Sequence, residues 1–208
     1  MPPFADPATA LAAFGVATVH EALGRRGLMR DIRLLVGEAF AGRAETVALP
    51  AGDNIGIHAA LRTAEPGAVL CIASGGQGAF GVIGDLILAA AAKRQVAAMV
   101  IDDGIRDTRQ LKGPPAVAAR SVSAQGTQKR RIVSIGEPVV LGGVLVRPGD
   151  WIVGDGDGGC VVPQDRLERL LEAAAARETK EDGIRKELAR GRTTVDVLGL
   201  SRLLEKRS

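Results

Sequence analysis

Apolar positions in this chain of 208 residues fall into helical, alternating and continuous runs, and each kind predicts a different element. From Asp6 to Leu28 they recur at helical spacing, densest over Ala8 to Phe14, and Thr18 with Glu21 matches a capping box opening a second stretch to Leu23. Ala39 to Val47 alternates, which predicts a half-buried strand. Pro50-Ala51-Gly52-Asp53-Asn54 then reads as a turn into a helix from Ile55 to Thr63, ended by Glu65-Pro66-Gly67.

Two compact βα units follow. Ala68 to Ala73 is a short apolar run, Gly75 to Gly84 a glycine-rich loop, and Asp85 to Arg94 an Ala-rich helix. Val96 to Ile101 is a second apolar strand, ending at Asp102-Asp103-Gly104-Ile105-Arg106-Asp107. Strands apolar throughout and separated by a helix predict parallel neighbours in a βαβ crossover, covered on both faces. Ligands of such sheets sit beyond the carboxyl ends of the strands, where both polar clusters fall.

Ile132 to Val162, rich in Val, Gly and turn signals, predicts several short antiparallel strands. Asp165 to about Arg190 reads as one long helix interrupted by Gly183, followed by a basic tail. The division expected is a main domain over residues 1–163 and a helical extension over 164–208, and the chain carries no internal repeat.

Composition narrows the function classes. Hydrophobic residues at 46% and charged residues at 25% describe an ordinary globular chain. The net charge of +3 is too small an excess to imply nucleic acid, and aromatics at 2%, with no Tyr, leave no base-stacking platform. No segment approaches the roughly 18 apolar residues of a membrane span, and Met1 to Ala10 lacks a signal-peptide pattern, so a soluble cytoplasmic protein is expected. Cys71 and Cys160 lie in separate apolar runs without a CxxC, which predicts buried free thiols.

Two constellations could carry chemistry. The stretch from Gly75 to Asp85 leads into a helix start, where unpartnered amides and the helix dipole suit a carboxylate or phosphate. A turn-forming loop without ligand is the other reading. It matches neither a dinucleotide fingerprint nor a GxxxxGK[ST] loop. The second constellation, Asp102, Asp103, Arg106 and Asp107, offers hard oxygen ligands for Mg²⁺ or Mn²⁺ and a cation to stabilise developing negative charge. A solvated Asp–Arg cluster is its alternative. Zn²⁺ is disfavoured because His20 and His58 are the sole histidines. Ser74, Ser121, Ser123 and Ser134 lack a GxSxG elbow, and Lys93, Lys112 and Lys129 lie outside apolar strands, which favours metal over imine chemistry.

Taken in order, Ala17-Thr18-Val19-His20-Glu21-Ala22, Pro50 to Asn54 with His58, Gly84-Asp85-Leu86, Ile101 to Asp107, Ser121 to Thr127 and Pro148-Gly149-Asp150 resemble the RraA-like superfamily over about Phe14 to Leu200. The resemblance is to its aldolase branch, which acts on 4-hydroxy-4-methyl-2-oxoglutarate and 4-carboxy-4-hydroxy-2-oxoadipate. It implies a three-layer β/β/α swivelling-type sandwich, a homotrimer or homohexamer with sites between subunits, a 2-oxo acid substrate releasing pyruvate, and Mg²⁺ or Mn²⁺. By the same resemblance Asp107 binds the metal directly, Asp85 acts through water, and Arg106 meets the pyruvyl oxygens. Gly84, Leu86 and Ile87 form the turn whose amides receive the pyruvate carboxylate, and Glu181 reaches the metal's water shell from the adjacent subunit. Asp103 and the Ser74 to Phe80 loop depart from the branch. The alternative function is a non-catalytic regulator that binds a ribonuclease.

Overall fold

Asp6 and Pro7 start the first helix: the Asp6 carboxylate accepts the amides of Ala8 and Thr9, and Pro7 supplies the first helical φ without needing a donor. In the computed structural model, which describes residue 4 and residues 6–205, this helix, α1 (Pro7–Ala22), is kinked at Gly15, where φ is 74°. Its second half begins at Val16, whose amide donates to Asp155 Oδ2 at 2.7 Å. The capping box expected at Thr18 and Glu21 therefore lies inside a helix whose start is held by a carboxylate distant in sequence.

The chain continues through β1 (Leu28–Met29), β2 (Arg33–Val36), β3 (Phe40–Ala48), α2 (Ile55–Ala60), β4 (Val69–Ala73), β5 (Gly81–Ile83), α3 (Asp85–Lys93) and β6 (Ala98–Ile105). Then come β7 (Ala116–Val122), β8 (Ser134–Ile135), β9 (Val139–Leu141), β10 (Val144–Val146), β11 (Trp151–Asp155) and β12 (Gly158–Val162). A 3-10 turn at Gln164–Arg166 opens α4 (Leu167–Ala189), followed by α5 (Thr194–Leu198) and α6 (Ser201–Glu205).

The main sheet runs β1-β12-β11-β3-β4-β6-β7-β2, with β5 paired to β6 and β8 to β3, while β9 and β10 form a separate hairpin. β3, β4, β6 and β7 are parallel neighbours, as the apolar βα units predict, and β11 and β12 join antiparallel. β2 at one edge also approaches β11 and β12, so the sheet curls back on itself. The result is a mixed α/β fold.

Period-two alternation in the parallel strands feeds two cores at once. Leu70, Ile72, Met99 and Ile101 face α2 and α3 with Ile57, Ile87 and Leu88. Val69, Cys71, Val100 and Ala118 face the inside of the curl with Leu141, Val146, Ile152 and Val161. A third core joins α1 and α4 to β11 and β12 through Leu11, Val19, Val153, Cys160, Leu170 and Leu171. Burial of Leu170 and Leu171, each contributing about 1.5–3 kcal/mol, ties the first half of α4 to its own chain. Cys71 and Cys160 are buried and unpaired. Among the described residues no helix is long and apolar enough to cross a membrane.

Six elements differ from the sequence pattern. β6 runs past Ile101 to Ile105, so Asp102 and Asp103 lie within a strand rather than beyond it. The glycine-rich stretch contains β5, and the Ala-rich Ala116–Val122, which lacks a strong strand signal, is β7. α2 ends at Ala60, short of Thr63, because Leu61 to Thr63 close into tight turns. α4 passes through Gly183 without a break, and the basic tail holds α5, capped by Thr193 and Asp196.

Candidate active site

The register between β5 and β6 builds the site. Ile83 pairs with Ile105 in parallel, and the Arg106 amide donates to Ile83 O at 2.9 Å. Both strands therefore end together, and Gly84-Asp85 at the start of α3 is set against Arg106-Asp107 after β6. Asp107 occupies the left-handed region at φ 57°, which Asp tolerates better than most residues and which often marks a functional position. Its Oδ2 lies 3.4 Å from both Arg106 Nε and the Asp85 amide. Gly84 closes the junction: a Cβ there would sit 2.5 Å from Asp107 Oδ2 and 3.1 Å from Arg106 Nε.

Arg106 and Asp107 keep 38% and 39% of their side-chain surface open to solvent, enough for a ligand to reach both. A cavity of about 440 Å³ opens beside them, bordered by Arg109, Val122 and Ser123. That volume suits a small organic acid. Leu86 has its side chain 78% exposed and Ile87 has its buried, so only their first-turn amides could serve a ligand. The Leu86 amide donates to Asp85 Oδ1 at 2.8 Å.

The anion-binding reading of residues 75–84 narrows accordingly. Ser74 and Phe80 give their amides to Asp102 and Asp103, while Ser121 and Ser123 hydroxyls donate to the carbonyls of Gly78 and Ala79. The loop is stapled from both sides, and helix geometry leaves the α3 start as the place for an anion. Ser121, Ser123, Arg109 and Phe80 were not singled out as site residues by sequence reasoning. The signal for Ser121 and Ser123 lay in the Ser121 to Thr127 segment, reached from β7 (Ala116–Val122), whose alanines hide its strand character, whereas Arg109 and Phe80 lie outside that segment.

Of the residues expected at the site, the fold brings together Gly84, Asp85, Leu86, Ile87, Arg106 and Asp107. It does not bring Glu181 to them within one chain: Glu181 lies on α4, which packs on α1, and pairs with Arg177 at 2.8 Å and Arg185 at 3.2 Å. Among the described residues no three His, Cys, Asp or Glu side chains form a metal cage. Two adjacent carboxylates nevertheless fit a hard cation, because Mg²⁺ commonly takes one or two carboxylates and keeps several waters. His58, on α2, is held below the ordinary imidazole value by burial and by Lys129, and its Nε2 has no partner among the described residues. His20 Nδ1 contacts Arg26 O at 3.0 Å.

The RraA-like family model, described as Aldolase/RraA, matches residues 16–162. The chain belongs to the RraA-like family. Its family segment contains the whole junction of Gly84, Asp85, Arg106 and Asp107, whereas Glu181 lies beyond it. The chain is 34% identical over 171 residues to a Halalkalibacterium halodurans protein named "Putative 4-hydroxy-4-methyl-2-oxoglutarate aldolase", spanning 81% of this chain and 79% of that one. A Cupriavidus necator protein of the same name is 33% identical over 73% of this chain and 85% of its own. Among solved structures, Streptomyces coelicolor RraAS2, described as an unusual member of the RNase ES inhibitor RraA protein family, superposes with a TM-score of 0.77 at 24% identity. The superposition covers 89% of this chain and 98% of that one, and at that identity the likeness is one of fold.

Proposed function

We propose that this RraA-like protein is a divalent-metal-dependent aldolase. It cleaves 4-hydroxy-4-methyl-2-oxoglutarate or 4-carboxy-4-hydroxy-2-oxoadipate to pyruvate and a second 2-oxo acid, with oxaloacetate decarboxylation as a side activity. The observation that carries this reading is the junction of Arg106, Asp107 and the Gly84–Asp85 helix start beside an open cavity. The names of the relatives support it.

In this reading the amides at Gly84 and Ile87, and that of Leu86 on release from Asp85 Oδ1, receive the pyruvyl carboxylate, and the Arg106 guanidinium donates to the pyruvyl oxygens. A water held by Asp85 takes the proton of the 4-hydroxyl. The C4–O bond becomes a carbonyl, the C3–C4 bond breaks, and its electron pair forms the C2–C3 double bond of the pyruvate enolate. Arg106 stabilises that oxygen as charge develops on it, the role in which a preorganised donor contributes most. The proton then returns to C3 and pyruvate is complete. Asp107 directly, and Asp85 through water, would hold Mg²⁺ or Mn²⁺, which would supply Lewis-acid polarisation of the substrate. Glu181 of an adjacent subunit in a trimer or hexamer would join that water shell.

The test is pyruvate release from 4-carboxy-4-hydroxy-2-oxoadipate and from oxaloacetate, with Mg²⁺ and with EDTA. Turnover that EDTA abolishes is expected, together with loss of metal dependence in Asp107→Ala and a kcat lower by about a hundredfold in Arg106→Ala. Absence of metal-dependent turnover of either substrate would sink the aldolase reading and leave the ribonuclease-regulator reading.

A further inference from the structure

Asp103 is fully buried near the carboxyl end of the active-site strand β6, yet no described cation pairs with it. A buried carboxylate is costly unless its oxygens are filled by donors. Here two of the three donors come from the two ends of the glycine loop and the third from β6 itself. Oδ1 accepts the Phe80 amide at 3.0 Å and the Gly104 amide at 3.0 Å, and Oδ2 accepts the Ser74 hydroxyl at 2.8 Å. Asp102 holds the same loop from alongside, accepting the Ser74 amide at 2.7 Å. The strand pairing shifts register between Ile101 and Gly104, an irregularity that seats both carboxylates against the loop. The fit leaves no room: a Cβ on Gly76 would lie 1.9 Å from Asp103 Oδ2.

The loop end that Asp103 grips carries Arg106. Phe80 is followed by Gly81, whose amide donates to Gln125 O at 2.9 Å. A Cβ on Gly81 would lie 2.8 Å from Arg106 Cβ and 3.2 Å from Arg106 Cδ, so the Arg106 stem lies directly on Gly81 backbone.

We infer that Asp103 is a positioning residue: by anchoring Ser74 and Phe80 it fixes the glycine loop as a rigid wall, and through Gly81 it sets the direction of the Arg106 guanidinium. Its consequence for turnover rests on the aldolase reading. Its consequence for the loop and for Arg106 does not.

Asparagine can replace Asp103 without loss of a bond. Its carbonyl keeps the Phe80 and Gly104 amides, and its NH₂ donates to Ser74 Oγ while that hydroxyl turns to Asp102 Oδ1 at 3.2 Å. Alanine strands the Phe80 amide. Wild type, Asp103→Asn and Asp103→Ala are compared by amide exchange over residues 74–81, by the rate at which phenylglyoxal modifies Arg106, and by kcat and KM for pyruvate release.

In Asp103→Ala, exchange over the loop is expected to rise by about tenfold or more, as for a segment that opens locally. Arg106 modification should quicken, and kcat should fall about a hundredfold with KM within about threefold, the scale of a misplaced catalytic group. Asp103→Asn should match wild type in all three. Added to Arg106→Ala, Asp103→Ala should lower kcat no further, since residues acting as one unit are not additive. Unchanged loop exchange, equal loss in Asp103→Asn, or additive losses would overturn the inference. If Asp103→Ala does not fold, Ser74→Ala replaces it, with faster loop exchange expected and unchanged exchange overturning the inference. If the wild-type enzyme releases no pyruvate, the aldolase reading falls, while exchange and Arg106 modification still decide the role of Asp103.

Discussion

Replacing Gly84 by alanine probes the junction with one methyl group. Gly84 has φ −126° and ψ −174°, extended backbone open to any residue, so Gly84→Ala adds no backbone strain. The new Cβ would stand 2.5 Å from Asp107 Oδ2, whereas ordinary contact begins at 3.4 Å. The carboxylate or the helix start must therefore give way by about 0.9 Å, and Arg106 Nε, 3.1 Å from the same point, is pushed as well. Displacements near 1 Å in an aligned site cost about a hundredfold in rate. Both affected side chains are partly open to solvent and can move without disturbing a core, so stability should change by under about 1 kcal/mol. Steady-state pyruvate release and a urea melt measure the two effects. A Gly84→Ala enzyme retaining more than about a third of wild-type kcat would refute the claim that this junction is the catalytic centre.

The other predictions concern the scaffold. Gly183→Ala, on the exposed face of α4 with nothing within 4 Å of the added methyl, should raise stability by about 0.5–1 kcal/mol in urea unfolding, whereas a loss would mean that the helix needs glycine there. Burial pushes the Asp53 carboxyl up, but the amides of Ile55, Arg130 and Arg131 outweigh it and hold it below the usual value of 3.8. Its stabilisation is thus present above 3.8 and lost as pH falls through the lower folded value. Asp53→Ala should cost about 1–3 kcal/mol at neutral pH, with a gap from wild type that narrows below the unfolded carboxyl value; a gap independent of pH would contradict this. Burial pushes the Cys160 thiol up to about 12 and Cys71 well above its ordinary range, so neither should react with Ellman's reagent until the protein unfolds.

Apolar runs were legible because burial on both faces demands them. Ala68 to Ala73 and Val96 to Ile101 announced parallel strands, and Asp85 to Arg94 announced the helix between them. β7 was not legible, since Ala-rich Ala116–Val122 is made a strand by its neighbour β6 rather than by its own propensity. The cap of the second half of α1 escaped for a related reason: Asp155 is distant in sequence, and local motifs pointed instead to Thr18 and Glu21. Gly183 likewise read as a break, but α4 is held by packing of its first half on α1, against which one glycine weighs little.

By itself the sequence determined the family, the alternation of parallel strands and helices, and the membership of Gly84, Asp85, Arg106 and Asp107 in two strand-end clusters. The family follows from the order of motifs along most of the chain, and the rest from short-range pattern. Only the tertiary structure decided that the two clusters form one junction, through the Ile83–Ile105 register and the close approach of Gly84 to Asp107. It also decided that the amides of Ser74 and Phe80, at the two ends of the glycine loop, go to Asp102 and Asp103, and that Glu181 stands apart from the site within its own chain. Periodicity reports how a segment meets its own neighbours, whereas register, curl and helix packing set which distant side chains share a few ångströms.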